Sequence, residues 1–224
     1  MPAMTNKEFA QSAWAIAKIG RPGAAPPPSF VDRLWQQAHL RAPALAPAET
    51  GLLLFAVSRL GLHAPPQWLA DVLVRLRAAL PGLRPDQQVN AVVALARMGR
   101  GPGPEWLAAF EAATRLGEFT LQELVNTLWA FAALGHAPSL PWQHACVAAL
   151  RAACAQACGL AAPLDADQVG ALLEEGALLQ VVTGAVAEQA AADELGGGVA
   201  DGGAGDGGLE CALSLAFELP LGAA

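Results

Sequence analysis

Four apolar runs along the chain close on the same residue. AWAIAKIG, LLFAVSRLG, AVVALARMG and LWAFAALG end at Gly20, Gly61, Gly99 and Gly135, at intervals of 41, 38 and 36 residues. Six positions before the glycine stands a large residue (Trp14, Phe55 or Trp129), replaced by Val93 in the third run. Alanines recur three and five positions before it, with Ser58 the single exception. Such runs predict helices, here called B, over 6–19, 48–60, 85–98 and 120–134. Small residues at fixed places let neighbouring helices approach closely. The glycine supplies the left-handed residue at which each helix turns back. Thr5-x-x-Glu8 and Thr120-x-x-Glu123 read as capping boxes, and Pro85 as a first-turn proline.

A second helix follows each glycine. PPPSF ends at Phe30, PPQW at Trp68, GPEW at Trp106 and LPW at Trp142, and in the last three the aromatic stands 7 residues after the glycine. Proline suits a helix start because its φ is preset and it has no N–H to leave unpaired. The aromatic is followed four residues later by Leu34, Val72, Phe110 or Cys146, on the same helical face. These segments predict A helices over 29–40, 67–80, 105–116 and 141–157. Two helices per period of this length define an all-α chain, a solenoid of tandem helix-turn-helix repeats of about 38 residues. The solenoid is expected to occupy residues 1–181, with a degenerate capping helix at 165–180 in which Glu174 and Glu175 take apolar places. Residues 182–224 read as a low-complexity acidic tail, disordered where Gly and Asp dominate, or as the start of a further module.

Composition narrows the function. The chain is 54% hydrophobic, rich in Ala and Leu and without Tyr, which favours helix. Pro, Gly or charge interrupts every apolar run before it is long enough to span a bilayer, so no membrane role is expected. The net charge of −7 averages two unlike regions. All 13 Lys and Arg fall between Lys7 and Arg151 against 9 acids up to Arg151, a net +4; the remainder holds 11 acids and no base. A basic repeat region suits a polyanion partner. The four cysteines form neither a secreted framework nor a zinc-knuckle spacing, so no metal or other cofactor is expected. No Ser/His/Asp grouping, carboxylate pair or phosphate loop recurs with the repeats, and the chain is read as non-enzymatic.

Aligned repeats turn scattered charges into columns. Nine residues after each A-helix aromatic come His39, Arg77, Arg115 and Arg151; two before each glycine come Lys18, Arg59 and Arg97, then Ala133. Stacked one repeat apart, each column becomes a stripe able to follow a phosphodiester backbone. Cations in last helical turns also complement the macrodipole, which gives each residue a second explanation. Near the B-helix starts lie amides, Gln11, Asn90 and Asn126 nine before the glycine (with Leu52 in the second repeat) and Gln88 close by. Amides can read the edges of unpaired bases, or fasten the inter-helix loops. The tryptophans follow core spacing and read as packing residues.

GPEWLAAFEAATRLGEFTLQELVNTLWAFAALG (101–135) resembles the octotricopeptide repeat of green-algal organellar RNA-binding proteins, a family related to RAP-domain and FAST-kinase-like proteins. Its marks are a PPPEW-like motif and an LxNxLWALAxLG-like helix. PPQW with VNAVVALARMG matches less closely, and PPPSF with EFAQSAWAIAKIG more loosely; together the likeness covers residues 5–157. The resemblance implies an α-solenoid that binds single-stranded RNA in chloroplast or mitochondrion. It further implies a role in processing, stability or translation of particular transcripts, alone or with other proteins of a ribonucleoprotein complex. A non-catalytic protein-binding scaffold is the alternative that the same surface would serve.

Overall fold

A computed structural model describes residues 4–19 and 26–157 of the chain. Gly20, the expected capping helix at 165–180 and the acidic tail at 182–224 lie outside the described residues. Within them the protein is all-helical, with no strand. The B helices are α1 (Asn6–Ile19), α3 (Pro47–Arg59), α5 (Pro85–Arg97) and α7 (Leu121–Ala133). The A helices are α2 (Pro28–Arg41), α4 (Pro66–Ala79), α6 (Pro104–Ala113) and α8 (Leu140–Ala157). The first three A helices each lead to a 3-10 turn, at Ala42–Ala44, Leu80–Gly82 and Leu116–Glu118.

Local chemistry sets these boundaries. Gly61, Gly99 and Gly135 have φ of 63°, 59° and 64°. Beyond each, a backbone N–H closes the Schellman bond: Leu62 to the Val57 carbonyl (3.1 Å), Arg100 to Leu95 (3.1 Å) and His136 to Phe131 (2.9 Å). At the other end, a carboxylate or amide in the first turn reaches back to the N-cap N–H in all four B helices. Glu8 takes Thr5 at 2.7 Å, Glu49 takes Ala46 at 2.8 Å, Gln87 takes Arg84 at 3.1 Å and Glu123 takes Thr120 at 2.7 Å. Thr5 and Thr120 return the bond to complete capping boxes. Pro28, Pro66, Pro85 and Pro104 occupy first-turn positions.

Helix α6 stops at Ala113, short of the expected residue 116. The Thr114 hydroxyl donates back to the Glu111 carbonyl (2.9 Å) and accepts the Trp142 indole N–H (2.9 Å). Held from both sides, Thr114 turns extended (ψ 135°) and the chain enters the 3-10 turn that buries Leu116.

Packing follows the repeat. α1 packs on α3, α3 on α5 and α5 on α7, while α4 packs on α6, so the B helices form one continuous layer. Fully buried Leu53, Leu54, Val57, Val92, Leu95 and Leu124 fill its joints. The proline-led tryptophans latch the A helices: Trp106 Nε1 donates to the Leu73 carbonyl of α4 (3.2 Å), as Trp142 does to Thr114. Trp68 instead packs edge-on against Trp35, centroids 5.3 Å apart, and its buried indole N–H has no hydrogen-bond partner among the described residues. No described helix is long and apolar enough to cross a membrane.

Candidate nucleic-acid interface

The two basic columns have different surroundings. In the A column, His39 and Arg77 lie in last helical turns, but Arg115 lies outside α6, past the extended Thr114. Arg151 lies inside α8, which runs on to Ala157. The His39 Nδ1 is 2.8 Å from the carbonyl of Trp35, one turn back in its own helix. Arg77 pairs with Glu105 at 3.0 Å, joining α4 to α6, and Arg115 pairs with Glu118 at 3.2 Å. The Nε of Arg151 is buried without a hydrogen-bond partner among the described residues. The expectation that this column sits uniformly in last turns therefore holds for two members and fails for Arg115 and Arg151. Early termination of α6 and the greater length of α8 are the reasons.

The B column is more regular. Lys18, Arg59 and Arg97 close α1, α3 and α5, each in the last turn. Lys18 is exposed, and its Nζ lies 5.0 Å from the Trp14 ring centroid. Arg59 and Arg97 are half-buried, and the Arg97 guanidinium sits 5.3 Å over the Phe55 ring of the preceding B helix. Such contacts hold a cation and an aromatic face together at the surface.

The amides divide. Gln11 is exposed, and Asn90 and Asn126 are half-buried; Asn126 Oδ1 accepts from Gln122 Nε2 at 3.1 Å. Gln88 is 3% exposed, its Nε2 donating to the carbonyls of Leu80 (2.8 Å) and Ala113 (3.3 Å). That amide nitrogen ties the ends of two A helices together. Gln88 therefore belongs to the inter-helix fastening, not to a base-contacting row. Gln88→Ala is expected to lower stability by about 1–3 kcal/mol, since both carbonyls lose a buried donor. Urea unfolding would check it, and a loss within experimental scatter would show that water replaces the amide.

Positions nine, six and two before the glycine are spaced i, i+3, i+7 and so share one helical face. Along the B layer this face carries amides (Gln11, Asn90, Asn126), half-buried aromatics (Trp14, Phe55, Trp129) and cations (Lys18, Arg59, Arg97). Core spacing assigns the aromatic row to packing, and Trp14, Phe55 and Trp129 do pack against the core while part of each residue stays at the surface. Its one visible signal in the sequence is the three- and four-residue spacing from the amide and the cation. Leu52 and buried Val93 interrupt the first two rows, and Ala133 the third.

Other chemistry is sparse. Among the described residues no three His, Cys, Asp or Glu side chains group as metal ligands. Cys146 and Cys154 are buried, and burial pushes the Cys146 pKa up to about 12, far from a reactive thiolate. Cys158 and Cys211 lie outside the described residues. Glu111 bonds both His136 (2.7 Å) and the Ser139 hydroxyl (2.6 Å). Glu111 stands between the two, so His136 does not touch the Ser139 hydroxyl and the three side chains do not form a Ser–His–carboxylate relay.

Neither the models of known protein families nor the curated protein sequences give a match to this chain.

Proposed function

We propose that the chain binds single-stranded RNA as a helical-repeat solenoid, with the B-helix layer as the face that meets the ligand. The observation that carries this reading is the shared face of amide, aromatic and cation rows along four stacked helices. Single strands need a cationic track for phosphates, rings on which bases stack, and polar groups for base edges. The B face carries all three rows, each interrupted in one helix, and its cations Lys18, Arg59 and Arg97 keep to the same face from α1 to α5. By its resemblance to octotricopeptide repeats, the protein acts in organellar RNA processing, transcript stability or translation.

The test is fluorescence-anisotropy titration of randomised single-stranded RNA at graded salt. Wild type should bind with steep salt dependence. In a Lys18/Arg59/Arg97→Gln variant, confirmed folded by circular dichroism, the log–log slope should fall by about 2 units, at roughly 0.7 for each phosphate no longer neutralised. An Arg77/Arg115/Arg151→Ala variant should keep the wild-type slope. Absence of binding at low salt removes the RNA reading; a slope reduced only in the second variant moves the phosphate track to the A helices.

A further inference from the structure

The amide row faces away from the A helices. Gln88, eleven residues before its glycine, marks the A side of α5, because its amide donates to the Leu80 and Ala113 carbonyls at the ends of two A helices. Asn90 follows two residues later, about 200° round the helix, and so lies on the opposite side. The residues on either side of this ninth place are buried in α5 (Val89 and Ala91) and in α7 (Val125 and Thr127). The ninth place itself reaches the surface, exposed in α1 and half-buried in α3, α5 and α7.

Loop fastening does not account for this row. Among the described residues the side-chain amides of Gln11 and Asn90 make no hydrogen bond, unlike that of Gln88. Asn126 Oδ1 accepts from Gln122, one turn earlier on the same face, so α7 presents a pair of amides. A side-chain amide sets a donor beside an acceptor, and the pairing edge of an unpaired base does the same. Leu52 takes this place in α3 and offers neither, although Phe55 and Arg59 complete the rest of the face there.

We infer that the chain reads a gapped sequence: Gln11, Asn90 and Asn126 select the bases facing α1, α5 and α7, while the nucleotide facing α3 is held without choice of base. The inference rests on the RNA reading proposed above, with one nucleotide to each repeat, as helical repeats can meet a single strand. At α3 the ring of Phe55 and the charge of Arg59 remain, and stacking and phosphate contact tolerate any sequence. At α5 the balance is reversed, since Val93 is buried and supplies no ring while Asn90 keeps an amide at the surface. The open position therefore lies one nucleotide in from the α1 end of the bound strand. An unbroken amide row would specify contiguous bases, and a row of loop fasteners would specify none.

The experiment is selection of bound sequences from randomised single-stranded RNA by the full-length chain, for wild type and for Leu52→Gln and Asn90→Ala variants. Neither position is fully buried, so each variant should keep wild-type helicity by circular dichroism. Wild type should enrich one preferred base, one open position and then two preferred bases, in one direction along the strand or the other. Leu52→Gln should close the gap, and Asn90→Ala should widen it to two positions. On individual RNAs, a wrong base at a preferred position should weaken wild-type binding about tenfold, and any base at the open position should leave it within about twofold. RNA bound with no enriched motif overturns the inference and leaves the phosphate track standing. So does a motif that either folded variant leaves unchanged. Absence of binding at low salt removes both the gapped motif and the RNA reading.

Discussion

Phe110→Ala is expected to cost about 3–5 kcal/mol, because it removes a fully buried ring from a well-packed core. Phe110 is 0% exposed and links three helices through other rings. It stacks on Trp106 of α6 at 5.9 Å and meets Phe131 of α7 edge-on at 5.7 Å. Phe131 in turn contacts Trp142 of α8 at 5.1 Å. Truncation opens a void that rigid neighbours fill poorly, and it strips two aromatic contacts along with the buried area. Urea unfolding followed by circular dichroism measures the effect, with Ile19→Ala as the reference. Ile19 is 81% exposed, and its substitution should change stability by no more than about 0.5 kcal/mol. A loss below about 1 kcal/mol for Phe110→Ala, on the order of a surface change, would mean that the ring chain does not hold the last two repeats together.

Glu111→Ala is expected to cost about 2–4 kcal/mol by removing several charge-assisted bonds at one point. The Glu111 side chain is 10% exposed and that of His136 15%. One carboxylate oxygen meets His136 Nε2 at 2.7 Å; the other accepts the Ser139 hydroxyl at 2.6 Å and its backbone N–H at 3.1 Å. These bonds fasten α6 to the loop between α7 and α8. Burial pushes the Glu111 pKa up, but the bonds from Ser139 and His136, with the charge of His136, outweigh it and hold the pKa below the usual 4.5. A carboxyl with a lowered folded-state pKa binds its proton more tightly when unfolded. Its stabilisation is complete above the unfolded value and is lost as pH falls below about 4.5 through the folded one. Wild type should therefore lose stability over that acid range more steeply than Glu111→Gln. Parallel acid curves for the two proteins would show that Glu111 carries no linked proton.

Helix starts and stops are largely legible in the sequence because they rest on residues with local physical causes. Prolines at first turns, glycines at positive φ and the Thr–Glu boxes place seven of the eight described helices to within one or two residues. The exception, α6, arises where Thr114 answers to Trp142, 28 positions away, a partner that no local pattern reveals. Gln88 departs from its expected row for the same reason. Its neighbours in sequence suggest a row of amides, while its bonds run to carbonyls 8 and 25 residues distant. The return of Glu49 and Gln87 to their N-caps leaves no such signature, because Ala46 and Arg84 lack the hydroxyl that marks a box in sequence. On the candidate site, column spacing yields the residues, but only the structure shows that the B cations stay in last helical turns while Arg115 and Arg151 do not.

The tryptophan latches have a direction. Trp106 and Trp142 each reach back to the A-helix side of the repeat before them, to Leu73 and to Thr114. On a ribosome the earlier repeat is always the one already made. A newly emerged A helix can therefore fasten at once to a finished neighbour, without waiting for chain still to be synthesised. Assembly of this kind proceeds vectorially, one repeat at a time, and leaves a single growing end of apolar surface to be shielded while translation continues.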